Sequence, residues 1–451
     1  MKKKKLSSVC FALVCFLLCA ALSLGLVFFG PAEAGANERL AQKPKLSTKQ
    51  GVNWSYLSDL AKYVRDRFWL RQELISLRNS LTASLTGTSP VEDVLLGNDG
   101  WLYYAPTLED YTGAEPMTDG EIDACVWNLY LMDEYCMLGG FPLLFVPVPN
   151  KNSLYPEHMP DYPAAEVHDA ERLIARWEES WPWVCVVDLF TPFREQEETL
   201  YYAHDSHWTQ KGAALGADAI LTVLGRESAY FADDFPARAQ HDGDLYEMLY
   251  PAWLDTEHGP VYGGGFSYVR EGTDLRPDAI TINTSGGKKG TLLCWRDSFG
   301  NDLYPYLADA FASARFSRST TYDLTLAESL GADLVIIELV ERNLGYLLTY
   351  VPKMPAPEWD MPGTADVPET GETADLTLGK AGELAGHRLI SGSVPPEADR
   401  VFLVCGGVAY GAFRQKEGGF AAWLPEGERP ERVLYQLGGT MYSAHVGEIN
   451  E

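Results

Sequence analysis

The chain has 451 residues, 46% hydrophobic and 22% charged, a globular composition long enough for two or three domains. Its net charge of −27 repels phosphate backbones, which excludes nucleic acid as a general partner. The eight cysteines show no metal-ligand spacing. Cys125, Cys136, Cys185, Cys294 and Cys405 read as small buried hydrophobes, with a Cys125–Cys136 disulfide as the lesser alternative.

Lys2 to Lys5 precede an uncharged run from Leu6 to Ala32, of which Val9 to Phe29 is mostly apolar. That stretch is long enough to span a bilayer, which takes about 20 residues. The lysines should stay cytoplasmic, sending the remainder outside. Length favours an uncleaved anchor for residues 1–34. A secretory signal cut after Ala34 is the alternative, on the small-x-small pattern Ala32-Glu33-Ala34. In either case soluble nucleotides and acyl-CoA are poor direct substrates.

Residues 35–90 begin as a polar stretch. Trp54, Leu57, Leu60, Val64, Phe68, Leu70, Leu74, Leu77 and Leu81 then recur at helical spacing. The spacing predicts one amphipathic helix, whose apolar stripe should pack on the next domain rather than on a membrane surface.

Residues 91–353 alternate short apolar runs with helical segments. Pro142–Pro149, Trp183–Asp188, Thr291–Trp295 and Asp333–Glu338 read as strands, and Ala164–Glu179, Thr209–Leu224 and Asp302–Ala314 as helices. Strands apolar throughout, with helices between them, indicate an α/β fold with a parallel sheet covered on both faces. Ligands in such folds bind beyond the carboxyl ends of the strands. Residues 227–289 form an insertion rich in Asp, Gly, Tyr and Pro, read as a loop or β-insertion near the site. Residues 354–375 have linker composition, and 376–451 suit a small β-rich domain.

Three segments carry chemistry. Ser298 sits where the Thr291–Trp295 strand meets a helix, a position suited to a nucleophile with backbone donors nearby. Equally, Asp297 or Ser298 is a helix N-cap. Tyr202-Ala-His204-Asp205-Ser206-His207-Trp208-Thr209 offers His207 as base and Asp205 as the carboxylate that orients it. Its rivals are a metal site formed by His204, Asp205 and His207, and a polar cap without chemistry. Asn150 and Lys151, after the Pro142–Pro149 strand, could present donors to a substrate or an oxyanion, or merely form a turn.

Taken together, Gly97-Asn-Asp-Gly-Trp-Leu-Tyr-Tyr104, Pro149-Asn-Lys-Asn-Ser-Leu-Tyr-Pro156, Asp205-Ser-His-Trp208 and Arg296-Asp-Ser-Phe-Gly-Asn301 resemble the DHHW family. That family is related to the alginate O-acetylation proteins AlgJ and AlgX, within the SGNH-hydrolase-like superfamily. Glu338-Leu-Val-Glu-Arg342 also looks family-like. The resemblance implies a three-layer α/β/α domain with Ser298 as nucleophile, His207 as base and Asp205 as orienting acid. It further implies acetyl transfer to a cell-surface or secreted polysaccharide through an acyl-serine, without a cofactor. A multi-pass membrane-bound O-acyltransferase would supply the acetyl group, and Arg296 and Tyr304 are candidate substrate contacts. An acetylesterase of the same fold, or a non-catalytic polysaccharide-binding or assembly protein, are the alternatives. Two positions depart from the family pattern: Ser206 stands where histidine is expected, and Arg296 replaces the glycine of the commonest form.

Overall fold

The computed structural model describes residues 2–33, 39–49, 51–181, 185–240, 243–255, 257–359, 367–380 and 382–450. The N-terminal segment is helical over α1 (Lys2–Phe28). Some of its side chains, and Ala34 with the alternative cleavage point, lie outside the described residues. Among the described residues, no helix is long and apolar enough to cross a membrane. The single amphipathic helix expected next is two, α2 (Tyr56–Arg67) and α3 (Arg71–Thr86), because Leu70 turns the chain with a φ of 61°. The expected packing is also reversed. The residues α3 buries are Ser76, whose Oγ accepts from Ala252 N–H, and Asn79, whose amide donates to the Leu249 carbonyl. Leu74, Leu77, Leu81 and Leu85 face outward.

A hairpin, β1 (Val94–Leu96) with β2 (Leu102–Tyr104), leads into α4 (Asp119–Leu138), which opens on a Thr118/Glu121 capping box. The apolar runs then fold as β3 (Leu143–Val148), β4 (Cys185–Val186), β7 (Thr291–Trp295) and β9 (Leu334–Val340), with β8 (Ser313–Ser317) beside β7. Trp183, expected in β4, lies outside the described residues. Between β4 and β7 the chain forms α6 (Gln210–Val223), the short α7 (Asp244–Leu249), β5 (Val269–Glu271) and β6 (Thr281–Ser285). The helices α5 (Asp169–Ser180) and α8 (Gly300–Ala310) complete the domain.

The sheet order is β4-β3-β9-β7-β8-β6-β5. The first five strands are parallel, but β6 and β5 add antiparallel strands, so the expected parallel sheet is mixed. The two extra strands come from the insertion. Thr281-Ile-Asn-Thr-Ser285 alternates exposed or half-buried with buried positions, the pattern of an antiparallel strand with one covered face. Along the central strands alternate residues serve opposite sides. Phe145, Trp295 and Ile337 join one core with α4 and α5, whereas Leu144, Cys294 and Ile336 join the other with α6 and α8.

The segment with linker composition is partly structured. Met354 is buried, β10 (Glu358–Trp359) pairs with a later strand, and β11 (Glu369–Leu378) begins before the expected boundary; residues 360–366 lie outside the described ones. The remaining strands are β12 (His387–Ser393), β13 (Arg400–Cys405), β14 (Val408–Arg414), β15 (Gly419–Pro425), β16 (Arg432–Leu437) and β17 (Thr440–Asn450). They run β14-β13-β16-β17-β11-β12-β15, and pairing of β15 with β14 through Phe413–Ala421 and Arg414–Phe420 closes a seven-stranded barrel. Closure removes the exposed edges of an open sheet.

The barrel packs on α4. This explains why that helix is apolar nearly all round: one side meets the sheet and the other meets Phe402, Phe413 and Leu434. Trp127 donates to the Ala412 carbonyl at 2.9 Å. Asn128 is buried and donates to the Leu347 and Arg414 carbonyls while accepting from Arg414 N–H. Cys125, Cys136, Cys294 and Cys405 are free and buried, so the alternative Cys125–Cys136 disulfide is absent. Asn128→Ala strands three buried backbone groups, each costing roughly 1–3 kcal/mol when unpaired. Chemical denaturation followed by circular dichroism should show a loss of at least about 2 kcal/mol in one transition common to both domains. A loss below about 0.5 kcal/mol would contradict this packing.

Candidate active site

Ser298 lies half-buried on the turn between β7 and α8. The helix N-cap is Phe299, without a side-chain cap, and the Asp297 carboxylate instead secures the turn: Oδ1 accepts from Phe299 N–H, and Oδ2 accepts from Val340 N–H and the Asn343 amide. This ties the turn to the carboxyl end of β9. Beneath it, the buried Glu338 accepts from Asp297 N–H at 3.0 Å, and burial holds its carboxyl well above the usual range. The Ser298 hydroxyl is left to face His207, with Oγ 2.8 Å from Nε2.

His207 and Asp205 occupy a tight loop closed by the Tyr201–Trp208 bridge. Thr209 immediately caps α6 by accepting from Gly212 N–H. Asp205 Oδ1 accepts from both His207 N–H and Nδ1, at 2.9 and 2.6 Å. A carboxylate accepts only, so the proton sits on Nδ1 and Nε2 is left to accept from the serine hydroxyl. Trp208 Nε1 donates to the Phe299 carbonyl at 3.0 Å, and the Phe299 ring lies 4.8 Å from the imidazole. The two loops are thereby fixed to each other on both sides of the Ser298–His207 contact.

A second carboxylate, not foreseen from the sequence, comes from the insertion. Asp244 opens α7; its Oδ2 lies 3.5 Å from His207 Nδ1, and its own N–H donates to Asp205 Oδ2. Ser206, standing where the family pattern has histidine, holds Asp244 by donating from N–H to Oδ1 and from Oγ to Oδ2, at 2.8 and 2.7 Å. Burial disfavours a charged imidazole, but the Asp205 and Asp244 carboxylates outweigh it and raise the His207 pKa above its usual value. Burial and then repulsion from Asp205 raise Asp244.

The other expected contacts are arranged differently. Lys151 is buried and donates to the carbonyls of Leu102, Ala203 and Asp205 at 2.6, 2.7 and 2.9 Å. All three ammonium hydrogens are committed, so this residue braces the Asp205 loop instead of meeting a substrate. Burial draws its pKa down to about 7 against the pull of Asp205, Glu257 and Asp244. Arg296 is largely buried, donating to Asn301 Oδ1 and to the carbonyls of Pro277, Ala279 and Asp297, but it still borders the cleft beside Ser298. Tyr304 is buried and accepts from Arg270. His204 turns from His207 toward Asp255, at 2.6 Å, and Glu257. Both carboxylates already accept backbone N–H groups, so the His204, Asp205 and His207 metal set does not converge.

Asn150 is fully buried and acts on the site only by holding Arg342. The Arg342 guanidinium donates to Asn150 Oδ1 at 3.4 Å and lies 5.2 Å from the Phe299 ring centroid. In sequence Arg342 is family-like without an assigned role; its place beyond the carboxyl end of β9 is the signal that points to the site. A cleft of about 270 Å³ opens at Ser298, lined also by Arg296, Arg318, Thr320, Tyr322, Asn343 and Tyr346, so Arg296 borders the site as expected of a substrate contact.

Residues 94–270 match the family described as "SGNH hydrolase-like domain, acetyltransferase AlgX". A protein of Pseudomonas syringae pv. tomato named "probable alginate O-acetylase AlgJ" is 27% identical over 35% of this chain and 41% of its own length. The Pseudomonas aeruginosa protein of that name is 25% identical over 54% and 60%. The chain thus spans about two-fifths to three-fifths of these relatives. The crystal structure of a DHHW family protein from Eubacterium siraeum aligns with 56% of this chain and 91% of its own, at 16% identity and a TM-score of 0.42. Over residues 94–270 this chain is thus similar to the SGNH hydrolase-like domain of the acetyltransferase AlgX, and part of it is similar to proteins named as probable alginate O-acetylases AlgJ.

Proposed function

We propose that the protein is an O-acetyltransferase-like enzyme that esterifies hydroxyls of a cell-surface or secreted polysaccharide through an acetyl-Ser298 intermediate. The observation that carries this reading is the Ser298–His207 contact of 2.8 Å, with Asp205 fixing the opposite ring nitrogen. Relatives named as alginate O-acetylases supply the acyl group and the substrate class.

In the first half-reaction Ser298 Oγ attacks the acetyl carbonyl and its proton passes to His207 Nε2. The tetrahedral intermediate collapses as the leaving oxygen takes that proton. In the second, a sugar hydroxyl loses its proton to Nε2 while attacking the acetyl-serine, and the proton returns to Ser298. Asp205 holds the tautomer and stabilises the imidazolium throughout. The half-buried Arg342, held by Asn150, is a substrate-side polar group. The lysines followed by the apolar run of α1 support an extracytoplasmic enzyme held by an N-terminal anchor, served by a membrane-bound O-acyltransferase.

Two experiments test this reading. Purified protein should release p-nitrophenol from p-nitrophenyl acetate, and Ser298→Ala or His207→Ala should each lower kcat/KM by at least about 10³-fold while leaving the fold intact. With an oligosaccharide present, acetyl should appear on sugar; free acetate alone would identify an esterase, and no difference from Ser298→Ala would contradict a catalytic serine. In the second experiment, kcat/KM should fall as pH drops through the raised His207 pKa, because a protonated imidazole cannot accept the serine proton. Asp244→Asn should move that acidic limb to lower pH, and an unmoved limb would contradict the electrostatic role given to Asp244.

A further inference from the structure

Helix α3 is amphipathic in the wrong sense for its own domain. Ser76 and Asn79 make the buried contacts, while Leu74, Leu77, Leu81 and Leu85 line the opposite, solvent-facing side, with Leu77 49% and Leu85 85% exposed. Before it, α2 buries no residue; Leu57 is 78% and Trp54 94% exposed. A row of exposed leucines along one face of a helix is the kind of apolar surface that marks an interaction site. Charge points to the partner. Residues 39–86 hold nine Lys and Arg against three Asp and Glu, in a chain whose net charge is −27. Lys43, Lys45, Lys49, Lys62, Arg65 and Arg78 are exposed. Position agrees. The α2–α3 elbow is tied to the end of α1, with Trp69 N–H donating to the Leu22 carbonyl, Ala32 N–H to the Arg67 carbonyl, and the Phe29 and Trp69 rings stacked at 4.6 Å.

We infer that α2 and α3 form a docking face for the anionic surface of a lipid bilayer, with the leucines and Trp54 entering the interfacial region and the basic side chains meeting lipid phosphates. An apolar stripe flanked by Lys and Arg, with an aromatic residue at its margin, is the composition of helices that lie in the membrane plane. The face would hold the catalytic domain against the membrane rather than leave it on a free tether. This inference rests in part on the anchored reading of α1, and the test separates the two.

The full chain is reconstituted into phosphatidylcholine vesicles with and without phosphatidylglycerol. An environment-sensitive fluorophore is placed through Leu81→Cys, through Leu17→Cys in α1, or through Glu426→Cys on the barrel, with the unsubstituted chain labelled as background. The Leu81 label should shift to the blue, lose most of its quenching by aqueous acrylamide and gain several-fold quenching by nitroxide lipid, more so with phosphatidylglycerol, and the Glu426 label should not. A water-exposed Leu81 label beside a lipid-quenched Leu17 label overturns the docking face and leaves the anchor standing. Both labels in water overturn both. Shielding of Leu81 in native membranes but not in protein-free vesicles overturns the lipid assignment in favour of a membrane protein.

Discussion

A buried carboxylate is stable as an ion only when its lone pairs are met by donors, and the arrangement at Asp205 meets that requirement with parts of the site itself. Its Oδ1 takes the backbone N–H and Nδ1 of His207, and its Oδ2 takes Asp244 N–H. The same bonds that satisfy the charge set the imidazole tautomer, aim Nε2 at Ser298 and bring in a second carboxylate. Loss of any one donor would therefore disturb both the charge and the alignment. Lys151 completes the brace by gripping the Asp205 carbonyl, which explains why a lysine is buried beside the site without facing a substrate.

The Ser298 side is built on the same economy. Asp297 secures the turn and reaches Val340 and Asn343, so the ends of β7 and β9 are locked together under Ser298. Arg296, bulkier than the glycine expected there, finds its donors' acceptors in the 277–279 segment of the insertion. The insertion also carries Asp244, Asp255 and Glu257. A region that reads as irregular in sequence thus acts as the outer wall of the Asp205–His207 loop.

The features legible in sequence were those with a local signature. Continuous apolar runs marked the central strands, and the Asp-x-His and Asp-Ser segments at strand and loop ends marked the residues that meet. The antiparallel edge was missed because β6 alternates with polar residues inside a Gly- and Asp-rich stretch. Asp244 was missed because its partnership spans 39 positions in the chain to Asp205, a separation no periodicity records. The direction of the α3 stripe failed for a related reason: periodicity identifies two faces of a helix, but which one meets the domain depended on hydrogen bonds from Ser76 and Asn79 to a distant loop. Lys151 reads as a donor to a ligand because sequence shows a cation's charge but not the carbonyls that use it.

The central claim is that Ser298 carries the acetyl group. The most direct measurement is peptide mass spectrometry of protein quenched rapidly after mixing with p-nitrophenyl acetate, comparing the unsubstituted chain with His207→Ala. The account predicts one acetyl group on the peptide containing Ser298 in the unsubstituted chain and none in the variant. Acetyl on another residue, or equal labelling of both proteins, would contradict it.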